Sequence, residues 1–441
     1  MNHNGKIAVI GAGLAGSEAA LVLASRGIPV DLFEMRPGTM TPAHTTGGPA
    51  ELVCSNSFKS SAVHTAHGVL KKELEILSSP LMDAAKASAI PAGTALAVDR
   101  TLFSNAVLEK ISAVKEINLV QKGITEPQTG YAATIIAAGP LVSEPLAQWL
   151  GHAFSAGTLH FYDAIAPIVA ADSIDHSIAF FASRDNRGGA EDYCNCPFTG
   201  EQYDLFYAAL READGIEAHA FEDARFFEAC LPIEVMAQRG KMALAFGPLK
   251  PVGLVDPATG RRPFAVCQLR RENASGTCYN LVGFQTRLRR REQERVFRMI
   301  PGLRNAEFLR YGSIHRNTYL ESPTLLNGDL SFKNDASLFC AGQLSGSEGY
   351  TESIATGHLA GLFAGARITN THLCPPPRES AIGSLLHHIT NAGGGPYTPT
   401  NIHFGLFPPM ESQGKRIKKK ANRELLCRRA IESVNGWSSA L

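Results

Sequence analysis

The sequence predicts an α/β protein: a Rossmann-like nucleotide-binding domain, discontinuous along the chain, with an α+β domain inserted between its halves. Three observations lead there. A strand, glycine turn, helix, strand and acid follow one another at the start of the chain; a second strand, glycine turn and helix lie at 337–368; the residues between mix strand and helix patterns, with no internal repeat and no low-complexity linker. At 441 residues the chain has room for about two to three domains. They divide as 1–150, the first part of the nucleotide domain; 151–330, an insertion facing the substrate; and 331–441, the second part, ending in a basic helix.

The opening "KIAVIGAGLAGSEAALVLASRGIPVDLFEMRP" reads as a buried parallel strand over Lys6–Ile10 and a helix over Leu14–Arg26. Between them Gly11, Ala12, Gly13, Leu14, Ala15 and Gly16 spell G-x-G-x-x-G in the strand–turn–helix context that gives the motif meaning. Gly11 permits the tight turn, Gly13 lets a pyrophosphate reach the backbone, and Gly16 lets helix and strand approach closely. A second strand over Val30–Phe33 delivers Glu34, 18 residues beyond Gly16, where an acid suits a ribose hydroxyl and opposes a 2′-phosphate. FAD or NAD is therefore expected over NADP at this site. Two later stretches favour FAD. The strand in "YAATIIAAGP" (131–140) ends in Ala-Ala-Gly, and "SLFCAGQLSGSEGYTESIATGHLAGLFAGARI" (337–368) gives a strand, a turn holding Gly342 and Tyr350, and a small-residue helix. A helix start there would face the ribityl chain or the pyrimidine edge of a flavin. The fold class is accordingly a discontinuous, Rossmann-like FAD-binding domain with an inserted α+β domain.

Within the insertion, Thr199 and Gln202 have capping-box spacing before a helical pattern, and "PFAVCQLRRENASGTCYNLVGFQT" reads as a hairpin turning at Gly276. "CPPPRES" (374–380) marks a rigid turn. Hydrophobic residues make up 44% and charged residues 19%, the balance of a globular protein with a buried core. The first residues lack a basic stretch followed by an apolar one, so no signal peptide is expected, and no apolar run is long enough to predict a membrane span. Nine scattered cysteines without paired zinc spacing point to reduced thiols, a cytoplasmic location and no metal. No obligate protein partner is evident.

With a net charge of +1, any polyanion must be held by local patches. Two exist. One contains Arg287, Arg289, Arg290 and Arg291; the other contains Lys415, Arg416, Lys419, Lys420 and Arg423, of which the last four share one helical face. Such a stripe suits phosphates. Among the cysteines, Cys267, Cys278 and Cys340 sit in strand patterns and read as packing, and the Cys194–Cys196 pair lacks further ligands. Cys54, in "PAELVCSNSFKS", and Cys230, in "ARFFEACLPIEVMAQRG", each stand where an apolar element breaks into a turn, the partly exposed setting a reactive thiol needs.

The strings "GAGLAGSEAA", "EMRP", "ELVCSNS", "PAGTALAVDR", "FFEACLPIEVMA", "FGPLKPVGL", "VGFQT", "HRNTYLESP" and "GYTESIATG" resemble, in order and over most of the chain, the bacterial folate- and FAD-dependent tRNA (uracil-5-)-methyltransferases. Departures are Arg289-Arg290, where the family carries a Lys-Trp step, and Cys194, which looks additional. The resemblance implies FAD, methylenetetrahydrofolate as carbon donor, NAD(P)H as reductant, and a tRNA T-loop uridine as substrate; ribosomal RNA is the alternative substrate. An NAD(P)H-dependent flavin oxidoreductase without RNA is the alternative of another class.

Uracil C5 is a poor nucleophile until a thiolate adds at C6, after which C5 attacks a methylene and must lose its proton to a base. The family's cysteine pair falls on Cys54 and Cys230; Cys230 is assigned as the C6 nucleophile and Cys54 as the C5 base or methylene-side partner, with the reverse order as the alternative. The pair must then meet beside the flavin. Tyr350, in the turn "SGSEGYTES", is the candidate for a ring stacked near the flavin. If the two cysteines converge, the glycine-bounded "HTTGGPAELVCSNSFKSS" is expected to be a mobile flap carrying Cys54, whose Ser55, Asn56 and Ser57 could offer donors to the thiolate or the uracil. Arg287, Arg289 and the tail helix from Lys415 to Arg429 would meet RNA phosphates.

Overall fold

Four short apolar strands from the first part of the chain and one from its far end form a single parallel sheet. A computed structural model describes residues 5–154, 159–186, 188–189, 191–216, 231–391, 397–410 and 418–441. The sheet runs in the order Leu338–Cys340, Ala133–Ile136, Ile7–Ile10, Val30–Glu34, Ile117–Gln121, every neighbour parallel. Sequence and structure agree on the opening elements to within a residue, the helix spanning Leu14–Ser25 with Arg26 closing it. That helix is buried on all sides from Ala15 to Ala24, which its near-absence of polar residues permits. Its neighbour is the Tyr350–Ile368 helix, and the two backbones nearly touch: a Cβ on Gly357 would collide with the Ala15 carbonyl, and one on Gly361 would sit 3.0 Å from the Ala19 carbonyl oxygen.

The insertion builds its own antiparallel sheet, ordered Phe180–Phe181, Tyr193–Phe198, Ala265–Arg271, Cys278–Leu281, Ile168–Ala170, Phe308–Arg310. The expected hairpin is present, with Gly276 at φ +66° in its turn. The Gly200–Glu212 helix, started by the Thr199–Gln202 capping box, packs Tyr203 and Phe206 against Phe198 and Phe284. Among the described residues, buried apolar side chains form two large clusters and a small third one of Ile90, Ala92 and Ala97. One large cluster joins residues 7–154 to residues 320–437; the other lies within residues 166–308. A ribbon of Leu159–Ile165 against Ser313–Tyr319 links them. Among the described residues no helix is long and apolar enough to cross a membrane, and no three His, Cys, Asp or Glu side chains are grouped to hold a metal.

Arg100 stitches the clusters together. Asp99 caps the Arg100–Ser112 helix through the Thr101 and Leu102 amides, and its second oxygen takes the Ala274 amide of the hairpin turn. Arg100 then donates from Nε and Nη2 to the Glu272 carboxylate and from Nη1 to the carbonyls of Leu52 and Val53. The side chain of Glu272 is 4% exposed, so removing it strands a buried guanidinium. Glu272→Ala is expected to cost about 3–5 kcal/mol in urea unfolding, and Glu272→Gln less.

Candidate active site

The glycine turn is shaped by its neighbours. Gly11 stands at φ +100°, and a Cβ there would lie 2.6 Å from the Ala137 carbonyl oxygen; one on Gly16 would collide with the Gly11 carbonyl. Gly13 differs: a Cβ on it would meet nothing within 4 Å. Its open side faces a cleft lined by Glu34, Lys122, Gly13, Gly139, Cys54 and Tyr350. The cleft therefore leaves space against a bare backbone at a helix start, the fit that a dinucleotide pyrophosphate requires. Leu14 and Ala15 line it, Gly342 lies against Ala15 across the sheet, and Ala12 is buried behind the turn.

Glu34 is more heavily engaged than its motif position suggests. Its Oε2 accepts from the Ala12 amide and Arg36 Nη2, and its Oε1 accepts from the Arg36 amide and Nε. Those four donors fill the lone-pair positions of a carboxylate, so a ribose hydroxyl would replace an Arg36 N–H. Arg36 also reaches Glu51 at 3.1 Å, and Glu51 in turn accepts from Thr45 and Thr46. Neither Arg36 nor Glu51 was marked by any spacing in the sequence.

In the same cleft Tyr350, first residue of its helix, is fixed by the loop that carries Cys54. Its Oη accepts the amides of Cys54 and Ser55 at 3.1 Å each and donates to the Ser55 carbonyl at 2.9 Å. The Cys54 sulfur lies 3.1 Å from the same oxygen. Burial pushes the Tyr350 phenol well up, so it remains a phenol. Burial, then the charges of Asp163 and Glu348, push the Cys54 thiol up; the Tyr350 hydrogen bond and Arg100 oppose them. The arrangement gives the tyrosine O–H a second acceptor: once Cys54 ionises, that proton can turn from the Ser55 carbonyl to the sulfur.

The mobile flap of the sequence reading is instead an anchored loop. Arg100 and Arg310 hold the Val53 carbonyl, Ser104 holds that of Pro49, and the Ala50 amide donates to the Ala12 carbonyl. Residues Ser57–Ser60 are a strand. Asn56 does not offer its amide to the cleft: Nδ2 donates to the carbonyls of Val98 and Arg271 while Oδ1 accepts from Arg270, burying it between the two halves of the molecule. The hydroxyls of Ser55 and Ser57 accept the amides of Ser57 and Lys59.

The linking ribbon supplies residues the sequence reading did not single out. Asn317 is buried in the cleft wall and donates to Asp163 at 2.8 Å, while its Oδ1 finds no hydrogen-bond partner among the described residues. His315 Nδ1 likewise has none. Burial, then Arg310 and His44, push His315 down to about 4, which keeps its imidazole neutral. His315, Pro140 and Leu141 also line a second cleft with His160, Arg316 and Glu144, so the two spaces share a wall.

Cys54, Gly11–Gly16, Glu34, Gly342 and Tyr350 are thus brought to one cleft or its wall. Cys230, Lys415 and Arg416 lie outside the described residues. Leu231, next after Cys230, is buried and leads into the Ile233–Gln238 helix. Of the expected RNA contacts, Arg287 donates its amide to Glu234 and holds its guanidinium 3.8 Å from that carboxylate, whereas Arg289 is exposed. Arg290 stacks over Tyr311 at 4.1 Å. Lys419 opens the Lys419–Ser438 helix, and Arg423, exposed, lies 5.5 Å from the Phe404 ring. Cys194, Cys196 and Cys267 are buried core thiols.

Residues 6–372 match the family model described as glucose inhibited division protein A. A methylenetetrahydrofolate–tRNA-(uracil-5-)-methyltransferase TrmFO of Heliobacterium modesticaldum is 51% identical over 430 residues, 97% of each chain. The protein of the same name from Geobacter sulfurreducens is 49% identical over 434 residues, 98% of this chain and 99% of that one. Among solved structures, Aquifex aeolicus GidA in its form II crystal superposes with a TM-score of 0.71 at 16% identity, covering 98% of this chain and 73% of the other, a likeness of fold. A chain that matches relatives at this identity, end to end, belongs to the methylenetetrahydrofolate–tRNA-(uracil-5-)-methyltransferase family, within the glucose inhibited division protein A group.

Proposed function

We propose that this chain is an FAD- and folate-dependent enzyme that transfers the methylene of methylenetetrahydrofolate to C5 of a tRNA uridine and reduces it to methyl, with the T-loop uridine as target. The observation that carries the reading is the meeting of the Cys54 thiol with Tyr350 in the same cleft that Gly13 and Glu34 line. Gly11–Gly16, Glu34 with Arg36, and Gly342 would hold FAD, leaving its ring beside Cys54, Tyr350 and Asn317, whose free Oδ1 suits a ligand N–H. Bound FAD supplies the methylene relay and the hydride equivalents, with NAD(P)H as reductant. The second cleft, which shares the His315, Pro140 and Leu141 wall with the first, would be open to folate.

In this scheme Cys230 adds to uracil C6 and Cys54 removes the C5 proton. Tyr350 holds the Cys54 thiolate, and the neutral His315 adds no charge beside it. Arg289, Arg423 and the helix from Lys419 meet phosphates, in a cytoplasmic enzyme. Incubation with labelled methylenetetrahydrofolate, NAD(P)H and unmodified tRNA is expected to put label on C5 of one T-loop uridine. Label in ribosomal RNA alone would move the substrate, and NAD(P)H oxidation with no label in any RNA would leave a flavin oxidoreductase.

A further inference from the structure

The inserted domain carries a surface that the chemistry above does not use. Between residues 242 and 264 the chain passes through the short Ala243–Phe246 helix and a series of turns to the Ala265–Arg271 strand. Five apolar side chains stand in solvent along it: Phe246 is 78% exposed, Val255 60%, Val252 49%, Phe264 40% and Met242 39%. Their neighbours Leu244, Ala245, Leu249 and Leu254 are buried, so the stretch has an inner face already spent on the core.

Its backbone is fixed. The Leu249 amide donates to the Leu244 carbonyl and the Val266 amide to that of Leu249, each at 2.9 Å; Arg184 and the Asp185 amide hold the carbonyls of Val252 and Gly253. A phenyl ring left outside a rigid loop is not packing that failed to close. Several exposed apolar side chains within one short, fixed stretch suit a contact surface, with Phe246 the most exposed of them.

Charge decides what kind. Residues 241–264 carry four basic side chains and one acidic one, a net +3 in a chain of net +1. The acid, Asp256, is turned onto its own loop, accepting the Ala258 amide and the Thr259 hydroxyl. Lys241 pairs with Asp204, but Lys250, Arg261 and Arg262 are exposed and form no ion pair with a described residue. A second copy of the chain meeting this face with the same face would oppose those cations. A polyanion with flat apolar rings would satisfy both features, its phosphates on the cations and a base on the phenyl ring.

Position agrees. Phe246 follows Leu231 by fifteen residues, ten of them wound into the Ile233–Gln238 and Ala243–Phe246 helices, so the ring lies within about 30 Å of the residue after Cys230. One RNA can meet both. We propose that Phe246 is a base-stacking anchor of the RNA-binding surface, with Lys250, Arg261 and Arg262 as its phosphate contacts. The proposal rests on the RNA-modifying reading above.

The test uses the full-length, FAD-loaded protein and an unmodified tRNA transcript, with affinity measured at several salt concentrations. Phe246→Ala is expected to weaken binding about tenfold or more with little change in salt slope, while Phe246→Trp retains it. Lys250→Ala and Arg262→Ala are each expected to lower the log–log salt slope by about one. FAD content checks that each variant is folded. Phe246→Ala with wild-type affinity would overturn the proposal. So would loss of a wild-type self-association at unchanged RNA affinity, which would make the face a protein interface. Wild-type protein that binds tRNA but labels no RNA would bring down the enzymatic reading, and the binding series would still decide the surface.

Discussion

Cys54→Ala is expected to lower methyl transfer by at least about a thousandfold while the protein keeps its FAD. Losses of that size follow the removal of a group that handles the reacting atoms. The alanine leaves the Tyr350 hydrogen bonds to the Cys54 and Ser55 backbone intact, so the loop keeps its place. The pH profile gives an independent reading. Burial and neighbouring carboxylates raise the Cys54 thiol, so near neutrality it is protonated and its reactive thiolate is a minor form. Transfer should therefore climb with pH through and beyond about 8.5, where an ordinary thiol would be half ionised. Tyr350→Phe removes a hydrogen bond that lowers the thiol, and should move the profile further toward alkali. A profile level from neutrality upward would mean that ionisation of Cys54 does not limit the step. Incorporation of labelled methyl into tRNA measures both.

Gly13→Val is expected to give a folded protein that has lost FAD, with affinity down by about a hundredfold or more. Gly13 has φ −71° and ψ −168°, an extended conformation open to any residue, and an added Cβ would meet no protein atom within 4 Å. Only a ligand needs that space. Forcing branched carbons into a filled site costs about 1–3 kcal/mol, and 2.8 is roughly a hundredfold. Valine at the start of the helix should cost only about 1 kcal/mol of stability. Gly16→Ala is the contrasting variant: its methyl group would strike the Gly11 carbonyl, so it should impair folding before binding. Titration of apoprotein with FAD, together with urea unfolding, separates the two outcomes.

The nucleotide half was legible because its signals are local. Gly11, Gly13, Gly16 and Glu34 occupy fixed offsets within one strand–helix–strand unit, and the hairpin at Gly276 and the box at Thr199 are likewise written within a few residues. The anchoring of Cys54 was not, since Arg100 and Arg310 reach its loop from 46 and 256 residues away, and Glu272, which holds Arg100, lies 218 residues away. A serine-rich, glycine-bounded stretch reads as loose when the arginines that pin its carbonyls cannot be seen. Asn317 and His315 escaped notice for a related reason. They lie on a ribbon strand whose alternation predicts which faces exist, and says nothing about which one meets a cofactor.

The strand order of the parallel sheet also governs how the molecule is made. Ala133–Ile136 emerges early from the ribosome, yet its outer neighbour Leu338–Cys340 follows about two hundred residues later, and the helix that seals the glycine turn later still. At about 5–20 residues per second, that edge waits roughly 10–40 s. The insertion, with a core confined to residues 166–308, has the contacts to fold during the delay. The nascent nucleotide domain, by contrast, holds an unfinished apolar edge until Leu338–Cys340 has been made, which makes that interval the stage most exposed to chaperones and to aggregation.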